Sequence, residues 1–367
     1  MPSAATIHLL AAYLSGRATQ RLGVAGDERR WLELIGLANA HMLGPTLQQC
    51  LVDDGRDSEL PQDARDYLSM LLALNRKRNE ALRGQAVELA AALNADSIRP
   101  VFLKGAIAAL DPVDPLRDAR IMCDLDILVP SEAEPAAVEC LERIGYRVHD
   151  RYPEGHHAYG EFHHPGMPGM VDLHTELLDP RYILPAGEVT LESRDLDIPG
   201  LSAAVPSPTH RVFHHLLHAQ VHHLPHFHRG DLKLNQLYEF TRLSERLGSE
   251  IDWPRIESRL AKYRLTLPLH SYLLSARRLF GMSWPLSGGC DPRAARHVRR
   301  CLIQLQYPAL HRVMAPLGNL RGAFAWHRMN ALYGAEGAAL GARIRHAAQY
   351  LRKTPLRRAL RHMLREV

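Results

Sequence analysis

The strongest constraint on this chain is a pair of stretches separated by a loop: Val101-Phe102-Leu103-Lys104-Gly105, and the run Arg120-Ile121-Met122-Cys123-Asp124-Leu125-Asp126-Ile127-Leu128-Val129. The first reads as a short buried strand turning into an apolar helical start, the second as a strand carrying two aspartates. Successive side chains of a strand point to opposite faces, so Asp124 and Asp126 share one face while Leu125 and Ile127 share the other. Two carboxylates converging on one patch repel, and the repulsion raises one pKa unless a cation lies between them. A hard divalent ion, Mg2+ or Mn2+, resolves the conflict, because Mg2+ takes oxygen ligands at about 2.0–2.1 Å and keeps room for waters and phosphates.

The neighbouring residues suit a phosphate. Gly105 allows close backbone approach, the helix expected to begin there would direct free N–H groups toward an anion, and Lys104 adds a mobile positive charge. Arg120, four residues before Asp124, is placed either to face a phosphate or to pair with an aspartate. Further on, Val171-Asp172-Leu173-His174-Thr175-Glu176-Leu177 alternates so that Asp172, His174 and Glu176 share a face. Asp172 is the candidate third carboxylate, returning on a strand adjacent to Asp126. An exposed polar face on an edge strand is the alternative.

Around this centre the texture is helical. From residue 1 to about 95, apolar residues recur at three- and four-residue spacing, broken at Gly44-Pro45 and at Asp53 to Asp57. Between the two opening stretches, Asp111 to Arg120 reads as a surface loop. After Pro130, a helix capped by Ser131 runs to Gly145, and a strand follows at Tyr146-Arg147-Val148. From Asp252 onward the pattern is helical again, with starts at Trp253-Pro254 and Asp291-Pro292. The sequence thus divides into 1–95, 96–205 and 206–367.

Composition limits the function classes. The chain has 367 residues and 46% hydrophobic content, enough for roughly two or three domains of an ordinary soluble protein. No apolar run reaches the length of a transmembrane segment, and the N-terminus lacks a basic stretch before its apolar residues, so a cytoplasmic location is expected. The five cysteines are scattered without CxxC spacing, which fits a reducing compartment and neither a disulfide framework nor a thiolate zinc site. Cys123 is expected to be a small buried residue. Arginines crowd the C-terminal part (Arg293, Arg296, Arg299, Arg300, Arg343, Arg345, Arg357, Arg358, Arg361, Arg365), so these basic helices either contact a polyanion or are simply solvated.

Histidines cluster at His210, His214, His215, His218, His222, His223, His226 and His228, ahead of the first following acid, Asp231. On one helix, expected to break at Pro225, His210, His214, His218 and His222 form a ladder at four-residue spacing. Any adjacent pair could hold a transition metal. Lining an acceptor cleft with His218 and His222, packing as hydrogen-bonded core residues and lying exposed are the other readings.

With these residues in hand, the chain resembles the uncharacterised nucleotidyltransferase family of the polymerase-beta-like superfamily. The resemblance rests on Leu103-Lys104-Gly105, Arg120 to Val129, Gly145-Tyr146, Val171-Asp172-Leu173-His174, and the pair His218 and His222, in that order over roughly residues 40 to 270. The match loosens at Leu232 to Phe240, where Glu239 stands at a position more commonly aspartate. The resemblance implies an α+β fold: a small mixed sheet with flanking helices, set between all-helical N- and C-terminal regions, with 96–205 as the catalytic core. It implies NMP transfer from an NTP to a hydroxyl-type acceptor by two metal ions. Asp124, Asp126 and Asp172 would be metal-binding and catalytic, and Lys104, Gly105 and Arg120 nucleotide-binding. His174, His218 and His222 would be candidates for the acceptor side or a second metal. The acceptor, whether small molecule, peptide, protein or RNA, is left open, as is the NTP. Two alternatives stand beside this reading: a non-catalytic interaction protein on the same fold, and a transition-metal site on the histidine-rich helix.

Overall fold

The computed structural model describes residues 3–18, 27–111, 114, 116–179, 182–222, 226–334 and 340–353. The helical texture before the first strand becomes α1 (Ala4–Leu14), α2 (Glu28–Ala40), α3 (Gly44–Asp53) and the long α4 (Gln62–Ala95). Ser3 and Asp27 cap α1 and α2 by accepting from Thr6 N and Arg30 N. Pro45 sits in the first turn of α3, where its missing N–H leaves no gap. The α/β segment follows as β1 (Val101–Phe102), α5 (Lys104–Leu110), β2 (Asp124–Leu128), α6 (Glu134–Arg143), β3 (Arg147–Arg151), β4 (Ala158–His163), β5 (Met170–His174), α7 (Ala186–Leu191), β6 (Arg194–Asp195) and β7 (Ala204–Val205). Helices close the described chain: α8 (Pro208–Gln220), α9 (His226–Arg229), α10 (Leu234–Leu247), α11 (Trp253–Lys262), α12 (Thr266–Phe280), α13 (Pro292–Gln306), α14 (Pro308–Ala323), α15 (Trp326–Tyr333) and α16 (Leu340–Lys353).

The seven strands form one mixed sheet in the order β3-β4-β5-β2-β1-β7-β6. Its centre is the parallel pair of β2 and β5, in which Asp126 lies opposite Asp172 and Leu128 opposite His174. On the other face, Leu125, Ile127, Val171 and Leu173 are fully buried with Leu82, Leu89 and Leu93 of α4 and Leu141 of α6. That apolar layer fixes the register, because a slip of one residue would turn the aspartates into the core. A second core joins the two helical regions: Leu10, Trp31 and Leu47 share one buried cluster with Leu216, Phe240 and Leu273. The helices before β1 and after β7 therefore pack on each other, and the α/β segment is held against both.

Several expectations change. Cys123 is exposed, because it precedes the first residue of β2 and only its carbonyl joins the sheet, accepting from Met170 N at 3.3 Å. Ser131 opens a single 3-10 turn, and α6 starts three residues later without a side-chain cap. The ladder helix ends at Gln220, so His222 lies beyond it. His223, Pro225, Arg357, Arg358, Arg361 and Arg365 fall outside the described residues. Helices α11 and α13 start at Trp253 and Pro292 with proline in the first turn, as expected, and Asp252 and Asp291 cap them.

Candidate active site

The turn from β1 into α5 carries the first unusual residue. Lys104 adopts φ 49°, a left-handed conformation that costs a non-glycine residue on the order of 1 kcal/mol. The turn brings Lys104 Nζ to 2.5 Å from Asp126 Oδ1. Asp126 is only 2% exposed, so this carboxylate must be fully partnered. His174 supplies the second contact: its Nε2 lies 3.0 Å from Asp126 Oδ1 and 3.0 Å from Asp172 Oδ2. The imidazole thus bridges the two aspartates that the parallel register sets side by side.

Electrostatics follow from that packing. Burial alone would push Asp126 up, but Lys104 and His174 outweigh it and hold its pKa far below the usual carboxylate value. Burial lowers His174, yet the hydrogen bonds to Asp126 and Asp172 win and raise it. Lys104 shows the same contest: burial lowers it, Asp126 raises it further, and the net shift is upward. Asp124 keeps much of its side chain open to solvent at the start of β2. The cleft walls withdraw enough water, with Asp126 adding repulsion, to raise its pKa.

Among the described residues, Asp126, Asp172 and His174 form a group that could hold a metal ion, and Asp124 is not part of it. Ligand atoms of Asp126, Asp172 and His174 all lie within 4.8 Å of one another. Asp172 Oδ1 is buried without any hydrogen-bond partner, and leaving such an acceptor unsatisfied is costly unless something binds it. Two features narrow the phosphate cradle expected at Lys104-Gly105. The space a Cβ would take on Gly105 is bounded by Met122 Sδ at 3.0 Å and Arg120 Nε at 3.4 Å, so the missing side chain there serves packing. The helix starts at Lys104 and spans seven residues, with Ala106 N–H already donated to Leu103 O at 3.2 Å.

Arg120 pairs with Glu239 of α10, Nη1 to Oε2 at 3.2 Å, rather than with an aspartate of the site. Both line a cavity of about 100 Å³ that opens beside Lys104 and also touches Arg211, His214, His218 and Arg246. Arg246 is committed to Asp111 and, at 2.7 Å, to Asp114. The ladder histidines reach the carboxylates through ring contacts: His174 to His157 at 5.5 Å, His157 to His222 at 4.6 Å, His222 to His218 at 5.4 Å and His218 to His214 at 6.3 Å between centroids. Burial lowers His214 to about 3 and His215 to about 4, and depresses His218 well below its usual value. These rings are therefore neutral at pH 7. Among the described residues, none of the three metal-compatible groups includes His214, His218 or His222.

Sequence reasoning missed His157 and Arg211. His157 sits in a polar stretch without helical or strand periodicity to assign it a face. Arg211 could have been found through its helix, since it precedes His214 by three residues and His215 by four, and so shares their face.

A solved structure of the antibiotic-resistance factor ANT(2'')-Ia is similar to this chain at 15% identity, covering 50% of this chain and 91% of that one with a TM-score of 0.36. At that overlap the likeness adds nothing to what the geometry shows. Among curated proteins, none matches the chain. Residues 27–281 match the family described as uncharacterised nucleotidyltransferase, a span covering most of the chain and all of the β2–β5 site, and this protein belongs to that family.

Proposed function

We propose that the protein transfers a nucleoside monophosphate from an NTP to a hydroxyl-type acceptor. The acceptor oxygen bonds to the alpha phosphorus as the bond to the departing pyrophosphate breaks. One observation carries the reading: Asp126 and Asp172 stand in register across β2 and β5, bridged by His174, with Asp172 Oδ1 buried and unpartnered. Asp124, Asp126 and Asp172 would hold Mg2+ or Mn2+. When bound, a pair of such ions supplies positive charge for the attacking and leaving oxygens.

The chain's own residues do the rest. Asp172 accepts the proton of the acceptor hydroxyl, and His174 fixes the rotamers of Asp126 and Asp172. Lys104, on a flexible stem beside Asp126, is placed to shift to a phosphate oxygen and neutralise the departing pyrophosphate, with Arg120 behind it. The neutral walls of His214 and His218 keep additional positive charge out of the acceptor side at pH 7.

The test is label transfer from each alpha-labelled NTP with Mg2+, in the presence of a cell extract as acceptor source. Wild type should yield a labelled product and pyrophosphate. Asp124→Asn and Asp126→Asn should lower the rate by at least about a hundredfold while circular dichroism stays unchanged. Labelling by both variants at the wild-type rate would refute the assignment.

A further inference from the structure

Helix α14 reverses the usual amphipathic arrangement. Its buried positions are the small residues Ala315, Gly318, Gly322 and Ala323. A Cβ on Gly318 would lie 2.5 Å from Arg229 Cα and 2.7 Å from His228 O, so the helix rests directly on the backbone of α9. Its large aliphatic residues point outward: Leu310, Val313, Leu317 and Leu320 are 42, 68, 52 and 48% exposed. At the pitch of an α-helix these four form one stripe. Arg312 and Arg321 are both exposed, and Arg321 borders the stripe on the Leu310 side. Neither is paired with a carboxylate among the described residues. A surface helix normally buries its aliphatic side and exposes its small and polar residues, and an aliphatic stripe left in water marks a contact surface.

Charge selects the partner. From Asp291 to Val367 the chain carries fifteen arginines and lysines against Asp291, Glu336 and Glu366, although its overall net charge is +5; the remainder is net acidic. A second copy docked stripe to stripe would bring two such basic surfaces together. Residues 354–367, which hold four of these fifteen, would bring like charge together in the same way. A nucleic acid would satisfy the arginines and leave the leucines in water. An anionic bilayer surface satisfies both, because aliphatic side chains enter the acyl boundary while arginines reach headgroup phosphates.

We propose that α14 docks the protein peripherally on an anionic lipid surface. Leu332, Leu340 and Ile344, exposed by 62, 74 and 60%, add apolar area nearby. Helix α16 is held to the end of α14 by His346 Nε2 at 3.1 Å from Ala323 O and by the Phe324–His346 ring contact at 5.0 Å. The docking is in the plane of the membrane, since no helix among the described residues is long and apolar enough to cross one. It is independent of the reading of the carboxylate site.

Co-sedimentation of the full chain with phosphatidylcholine vesicles, with and without about 30% phosphatidylglycerol, tests the proposal. Wild type should sediment with the anionic vesicles and not the neutral ones. Val313→Asp/Leu317→Asp and, separately, Arg312→Glu/Arg321→Glu should each weaken partition by about tenfold or more. Both variants should melt at the wild-type temperature, because the altered side chains face solvent. Failure to sediment, equal binding to neutral vesicles, or undiminished binding by both variants would overturn it. Self-association by light scattering that the aspartate variant abolishes, without lipid binding, would make a second copy the occupant. Vesicle binding that appears only after deletion of residues 354–367 would make that tail the occupant.

Discussion

At the scale of single residues, the site is a balance of buried charges in which each group is stabilised by the others. The depressed pKa of Asp126 stabilises the folded state above about pH 3.8, and that contribution is lost as pH falls through the native value. The raised pKa of His174 works in the opposite direction: its contribution is complete below about pH 6.5 and is lost as pH rises through the native value. Removing Lys104 takes away one of the two cationic partners described for this buried carboxylate and leaves His174. Lys104→Met should therefore cost about 3 kcal/mol at pH 7, and acid unfolding should begin at higher pH because Asp126 would protonate more readily. Urea melts at pH 7 and pH 4 check both parts; an unchanged midpoint at both would show that the ion pair is dispensable.

Between elements, one ion pair ties α10 to the approach to β2. Glu239 on α10 is pushed toward protonation by burial, while Arg120 at the approach to β2 pulls it back. Breaking the contact from one side leaves a buried group without its partner. Glu239→Ala should destabilise by about 3 kcal/mol, whereas the apolar double replacement Arg120→Met/Glu239→Leu should cost less. Chemical denaturation of both variants decides this, and equal losses would place the cost in packing instead of charge. The same contact positions Arg120 in the cavity it shares with Lys104, so on the proposed function Glu239→Ala should also weaken NTP binding, measured by nucleotide titration.

The histidine content gives the whole molecule a pH signature. Burial lowers His41, His215 and His228 to about 4, and His214, His297 and His327 to about 3. Each is neutral when folded and takes up a proton on unfolding below about pH 6.5, so the unfolded state binds more protons there. Through these rings stability should fall by about 1 kcal/mol per pH unit for each such histidine below 6.5. Thermal melts from pH 7.5 to 4.5 measure the slope; a stability that rises on acidification would contradict the buried neutral state of these rings.

Much of this arrangement follows from local pattern. The period of two in Asp124-Leu125-Asp126 and in Val171-Asp172-Leu173-His174 assigns faces without any knowledge of neighbours, and proline and aspartate spacing marks α11 and α13. Contacts across the fold are not local. That Asp126 meets Asp172 in parallel register, that Glu239 and not an aspartate receives Arg120, and that Met122 fills the space beside Gly105 all depend on how α10 and the β-strands assemble. The sequence by itself determined which side chains could carry the chemistry, because side-chain direction along a strand or helix is set by backbone geometry. Only the tertiary structure decided which of them meet, because register and helix docking are set by the packing of the two cores and by no single stretch within them.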